Sequence, residues 1–134
     1  MILGIGTDIV DVARFNRWKE FPENRLQKVF SQKELFDCKL SPEKLAVRFA
    51  AKEAFYKALS NSLITFGFTR VTFSFMFACR NISVEYTTWN VPILHINWKE
   101  FEDKIGKKLS KIKTHLSLSH ERETAIAFVV LEKE

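Results

Sequence analysis

The sequence predicts an α+β fold in a single domain spanning residues 1–134. Three observations predict it: strand-like apolar runs at both ends, one strongly signalled helix in the first half, and strand patterns through the second half. Residues 2–9 (ILGIGTDI) read as a short buried strand, with Gly4 and Gly6 permitting close backbone approach. Val12, Phe15 and Trp18 recur at i, i+3, i+6, which predicts a helix from about Asp11 with Arg14, Arg17 and Lys19 on its outer face. Pro22 interrupts that pattern, and Ser31-Gln32-Lys33-Glu34 fits a capping box opening a second helix.

Ser41-Pro42-Glu43 supplies an N-cap, a proline at the first helical position and an acid in the first turn. The helix it opens is expected to run to about Leu59, with Asn61 in a turn beyond it. Ala46, Ala50, Ala54 and Ala58 make a ladder of small side chains against which another element can pack closely. Leu45, Phe49, Glu53 and Lys57 make the adjacent ladder, which starts apolar and ends charged, so it leaves the core for a cleft or solvent. Alternation in VTFSFMF (71–77) predicts a strand, and ISVEYTT and PILHI follow as two more. Phe101, Ile105 and Leu109 mark a helix from about Trp98 to Ser110. THLSLS then alternates with Leu116 and Leu118 inward, and TAIAFVVLE should be a central strand paired with it across HERE.

Composition narrows the function classes. The chain is 46% hydrophobic and 28% charged, ordinary for a soluble domain. Thirteen Phe is high for this length, and part of that surface is expected to be buried between subunits. Two cysteines make no disulfide framework and fit a reducing, cytoplasmic setting. The first residues lack the basic region of a signal peptide, and no apolar run reaches the ~18 residues of a membrane span. A net charge of +5 points to anionic partners. No P-loop, GxGxxG, RNP or zinc-finger spacing is present.

Chemistry is concentrated at few positions. Glu53 and Lys57, four apart on one helical face, could be a solvated ion pair worth a few tenths of a kcal/mol. Their place at the end of an apolar ladder argues for shelter instead, where an acid can hold Mg²⁺ and a lysine can neutralise phosphate oxygens. Asp8 follows Gly6-Thr7, and Asp11 is better placed to cap the next helix, which leaves Asp8 free for another role. Magnesium needs few protein oxygens, so two carboxylates suffice; spacing alone does not show that these two meet. His115 and His120 are five apart on a strand, on opposite faces, and so make no metal pair. The run Lys104, Lys107, Lys108, Lys111, Lys113 is a solvated face or an anion site. A basic nucleic-acid module built on that run and on Arg14 and Arg17 is the rival reading, and it predicts steeply salt-dependent binding.

GIGTDIVDVARF, RFAAKEAFYKAL (48–59) and HLSLSHE (115–121), in that order, resemble three motifs of the holo-acyl carrier protein synthases, the small trimeric bacterial 4'-phosphopantetheinyl transferases. The resemblance implies transfer of phosphopantetheine from coenzyme A to a serine of acyl carrier protein in fatty acid biosynthesis, with adenosine 3',5'-bisphosphate released. It implies a homotrimer with active sites between subunits, acting on coenzyme A and carrier protein rather than nucleic acid or membrane. It implies Asp8 and Glu53 as Mg²⁺ ligands, Lys57 on the pyrophosphate, and Arg48, His115 and Ser117 on the nucleotide end. Arg14 and Arg17 would dock the acidic carrier. The serine proton would go to Glu53 or to a metal-bound water. Two departures fall in loops: SNSLITFGF carries only Gly67, and WNVP has Asn90 where the family commonly has glycine.

Overall fold

The computed structural model describes residues 1–109 and 111–134. Strands β1 (Ile2–Asp11), β5 (Thr124–Lys133) and β4 (Ile112–His120) form an antiparallel sheet in the order β1-β5-β4, so the apolar C-terminal strand is central as expected. β2 (Ile82–Tyr86) and β3 (Pro92–Ile96) form a separate hairpin. Helix α3 (Pro42–Thr65) lies across the inner face of the larger sheet, packed on β1 and β5.

That packing is set by glycine against alanine. A methyl added at Gly4 would overlap the Ala58 carbonyl oxygen, and one at Gly6 the Ala54 carbonyl oxygen. Ala46, Ala50, Ala54 and Ala58 are fully buried. The two small-residue features of the sequence are therefore the two sides of one contact, and backbone meets backbone there. The neighbouring ladder runs outward as its composition predicts: Leu45 and Phe49 are buried, Glu53 is half-buried, and the Lys57 side chain is half-exposed.

Both capping signals are realised. Ser31 Oγ accepts from the Glu34 amide at 3.1 Å and Glu34 returns a bond to the Ser31 amide, opening α2 (Gln32–Cys38). Ser41 accepts from the Lys44 amide at the start of α3. A short helix, α1 (Glu23–Leu26), precedes them.

Four expectations need correction. No helix begins at Asp11: β1 continues to Asp11 because Thr124 is there to pair with it, and the chain then makes two 3₁₀ turns, Val12–Phe15 and Trp18–Glu20. An i, i+3, i+6 recurrence is the three-residue period of that helix type rather than 3.6, and Asp11 caps nothing through its side chain. Residues 71–77 form no strand: Ser74 caps a short helix, α4 (Phe75–Arg80), and Phe73 and Phe77 both stack on Phe101 at 5.6 and 5.4 Å. Helix α3 does not stop at Leu59. Asn61 is helical, its Oδ1 accepts from the Ile5 amide at 3.3 Å, and the turn falls at Gly67 with φ 92°. Helix α5 (Trp98–Ile105) ends where Gly106 takes φ 80° and its amide bonds the Glu102 carbonyl; Ser110, the expected end, lies outside the described residues.

Six of the thirteen phenylalanines are buried within one subunit and five more are partly buried. Phe15, Phe30, Phe49, Phe55, Phe73 and Phe101 are buried, while Phe36 and Phe128 are exposed. Cys38 and Cys79 are free and buried, and burial pushes their thiols up to about 11 and about 12, so both are unreactive at neutral pH. Among the described residues no helix is long and apolar enough to cross a membrane.

Candidate active site

β1 and α3 bring Asp8, Glu53 and Lys57 together. Asp8 points to the inner face of the sheet, opposite Ala127, and is only 8% exposed. Lys57 Nζ donates to Asp8 Oδ1 at 3.1 Å and to the Thr7 carbonyl at 3.0 Å. The lysine's carboxylate partner is thus Asp8, 49 residues away, and not Glu53 one turn before it. Asp8 Oδ2 is buried without a hydrogen-bond partner. Burial, and then the negative charge of Asp8, raise the proton affinity of Glu53; Lys57 and Arg14 oppose that shift. The two acids therefore sit within electrostatic reach, with two cations beside them.

That donor set fits a hard divalent cation. Two carboxylates from different elements, one oxygen unsatisfied, leave open positions for water and phosphate oxygens, as Mg²⁺ prefers. Among the described residues no group of three or more His, Cys, Asp or Glu is gathered, so the carboxylate pair is the donor set here. Arg14 arrives from the first 3₁₀ turn, its guanidinium 4.7 Å from the centre of the Phe49 ring. Arg17 is exposed and makes a loose 3.7 Å pair with Glu20.

Arg48 lines a second recess. It is buried, donates to the Lys44 carbonyl at 3.2 Å, stacks 5.0 Å from the Tyr86 ring and has an unpartnered Nε. The surrounding cavity of about 400 Å³ also receives Lys44, Asn90 and His120. Asn90 takes φ 62°, so this asparagine supplies the left-handed conformation in the β2–β3 turn.

His115 and Ser117 lie elsewhere. They sit on the outer face of the sheet opposite Val130 and Phe128, and His115 Nε2 is 2.8 Å from Glu132 Oε2, which lowers the Glu132 pKa. Within one subunit the sheet separates them from Arg48. His120, on the other face as its spacing requires, is the histidine that reaches the Arg48 cavity.

Residues 4–127 match the model of the 4'-phosphopantetheinyl transferase superfamily. The chain belongs to that superfamily. Among members, the holo-[acyl-carrier-protein] synthase of Clostridium novyi is 39% identical, covering 98% of this chain and 88% of that protein. The synthase of Halothermothrix orenii is 40% identical, covering 99% of each. Of solved structures, the ACPS–CoA complex of Chronobacterium ammoniagenes aligns with a TM-score of 0.78 at 28% identity, over 98% of this chain and 97% of that one. The Bacillus anthracis holo-(acyl-carrier-protein) synthase in complex with CoA (3',5'-ADP) gives 0.72 at 28% identity, over 100% and 99%.

In this phosphopantetheinyl transferase the sequence left several site groups unread. Lys44 lies one turn before Arg48 on α3, a signal available from helical spacing. His120 ends the HLSLSH strand and turns to the Arg48 cavity, on the face opposite His115 and Ser117. Tyr86 comes from the separate β2–β3 hairpin, and no local pattern announces that the hairpin folds over α3; Asn90, in the turn of the same hairpin, is marked in the sequence by the glycine it replaces.

Proposed function

We propose that this chain is a holo-acyl carrier protein synthase: it moves 4'-phosphopantetheine from coenzyme A to a serine of apo-acyl carrier protein and releases adenosine 3',5'-bisphosphate, serving fatty acid biosynthesis. The observation carrying this reading is the buried, unpartnered Oδ2 of Asp8 beside Glu53 and Lys57, in a chain whose relatives at 39–40% identity are such synthases.

Asp8 and Glu53 would hold Mg²⁺, which when bound supplies charge neutralisation to the diphosphate. Phosphoryl transfer asks the protein mainly for alignment and for neutralisation of charge. Lys57 is half-exposed and anchored through Asp8 and the Thr7 carbonyl, so its ammonium is held at the cleft mouth for pyrophosphate oxygens. The serine oxygen bonds the β-phosphorus, and the electron pair of the broken P–O bond leaves with the nucleotide bisphosphate. Burial and the Asp8 charge raise the proton affinity of Glu53 in the ion-free site, the direction a base for the serine hydroxyl needs. That affinity falls again once an ion sits on its carboxylate, which leaves the proton to a water beside it. Arg48, with Lys44 and His120 around its cavity, takes the nucleotide end.

The enzyme works as a homotrimer in the cytoplasm. Ile5, Ile9, Ile126 and Phe128 make an exposed apolar strip on the outer face of the three-stranded sheet. Large apolar patches of that kind mark interfaces. His115 and Ser117 border the strip, so assembly through this face carries them toward a site on the partner subunit. Arg14 and Arg17 face the acidic carrier protein, an arrangement that speeds encounter and weakens with salt.

The test is a mass measurement on apo-carrier protein incubated with the enzyme, coenzyme A and Mg²⁺, with and without EDTA. The carrier should gain one phosphopantetheine, and EDTA should abolish the gain. No gain with several carriers would overturn the transferase reading, and a gain indifferent to EDTA would overturn the metal assignment.

A further inference from the structure

The reaction chemistry above leaves one buried pair of charged groups unused. Lys52, next to Glu53 on α3, is fully buried, and so is Glu34 on α2. Lys52 Nζ lies 2.6 Å from Glu34 Oε1, 2.6 Å from the Val29 carbonyl and 3.1 Å from the Cys79 carbonyl. All three ammonium protons have an acceptor. Glu34 is saturated as well: Oε1 also accepts from the Ser31 amide at 2.8 Å, and Oε2 accepts from the Val84 amide at 2.9 Å. One ion pair therefore ties α3 to the segment after α1, the start of α2, the end of α4 and strand β2.

An apolar pair would avoid the cost of desolvating two charges, but it could not hold the Val29 and Cys79 carbonyls or the Ser31 and Val84 amides. What ions supply, and a greasy contact does not, is direction. Directed bonds are needed where the attached segment has little regular structure of its own. Residues 12–31 are such a segment, made of two 3₁₀ turns and a four-residue helix. Its aromatics lean on α3: Phe15 and Trp18 sit 5.3 and 6.1 Å from Phe49, and Phe30 lies 5.7 Å from Trp18. Phe30 is also 5.6 Å from Lys52 Nζ and follows Val29, whose carbonyl the lysine holds. Arg14 rides on the same stack over Phe49, one turn before Glu53.

We propose that Lys52 and Glu34 are positioning residues that fix the 12–31 segment against α3, so that Arg14 is presented in register with Glu53. This rests on the transferase reading for what Arg14 docks, though not for the positioning itself. Loss of the pair loosens the carrier-docking surface and leaves Asp8, Glu53 and Lys57 in place on β1 and α3, while the β2 side of the Arg48 cavity, held through the Val84 amide, loosens to a smaller degree.

The test compares wild type with the double variant Lys52→Met, Glu34→Met, because either single variant strands a buried charge and can fail to fold. The double variant leaves the Val29 and Cys79 carbonyls and the Ser31 and Val84 amides without their partners, so it should unfold at a lower denaturant concentration than wild type, and it is compared under conditions where circular dichroism shows it fully folded. Its KM for carrier protein should rise about tenfold or more, and by a larger factor than its KM for coenzyme A. Amide hydrogen exchange, which needs no activity, should accelerate selectively in residues 12–31. Wild-type carrier KM, or wild-type exchange in that segment, in a stably folded double variant overturns the proposal. Selective exchange in an enzyme that modifies no carrier would sustain the positioning and refute the transferase reading instead.

Discussion

A buried carboxylate oxygen without a hydrogen-bond donor costs about 1–3 kcal/mol or more in a folded protein, and Asp8 carries one. A bound cation repays that cost, so Asp8→Asn or Glu53→Gln should lower transfer by about 10²-fold or more, measured as turnover with saturating coenzyme A. Stability should move the other way. Burial and the Asp8 charge raise the Glu53 pKa above its ordinary 4.5, so the fold favours the protonated acid. The stability Glu53 contributes is present below the unfolded value and is lost as pH rises through the raised folded value. In thermal melts without metal at about pH 8, Glu53→Gln should melt no lower than wild type, and the two should converge as the medium is acidified. Divalent-ion affinity should follow the opposite course, falling with acidification already above the ordinary glutamate range.

Elements record how the site was assembled, and here sequence reading had mixed success for physical reasons. Helix α3 was legible because capping, proline at its first turn and alanine spacing are all local signals. The site residues it carries, Glu53 and Lys57, came with it. Their convergence with Asp8 was not legible, since it depends on Gly4 and Gly6 letting β1 sit directly on the α3 backbone. Gly6→Ala should therefore cost about 1–3 kcal/mol or more of stability, read from the denaturant midpoint, and should lower activity even at temperatures where the variant is folded. Residues 71–77 misled because alternating phenylalanines also suit a loop and a short helix that feed one aromatic cluster with Phe101. Tertiary packing, not period, decided that segment. The 12–21 segment misled by its period, which is that of 3₁₀ turns.

At the scale of the whole molecule, net charge and an open sheet face set the associations. A charge of +5 with Arg14 and Arg17 on one surface predicts a KM for carrier protein that rises with ionic strength, and a KM for coenzyme A less sensitive to it. The outer sheet face, with Ile126 42% and Phe128 45% exposed, should be covered by copies of the chain. On the proposed assembly, wild type should sediment as a trimer and Phe128→Asp as a monomer without activity, because His115 and Ser117 would no longer meet a neighbouring site. A fully active monomer would contradict the shared-site reading.

The central claim is that Asp8 and Glu53 grip one divalent ion. Binding of Mn²⁺, followed by electron paramagnetic resonance in the presence of coenzyme A, tests it most directly. The account predicts one tight ion per subunit in wild type and affinity at least about 10²-fold weaker in Asp8→Asn and in Glu53→Gln. Wild-type ion affinity in either variant would contradict it.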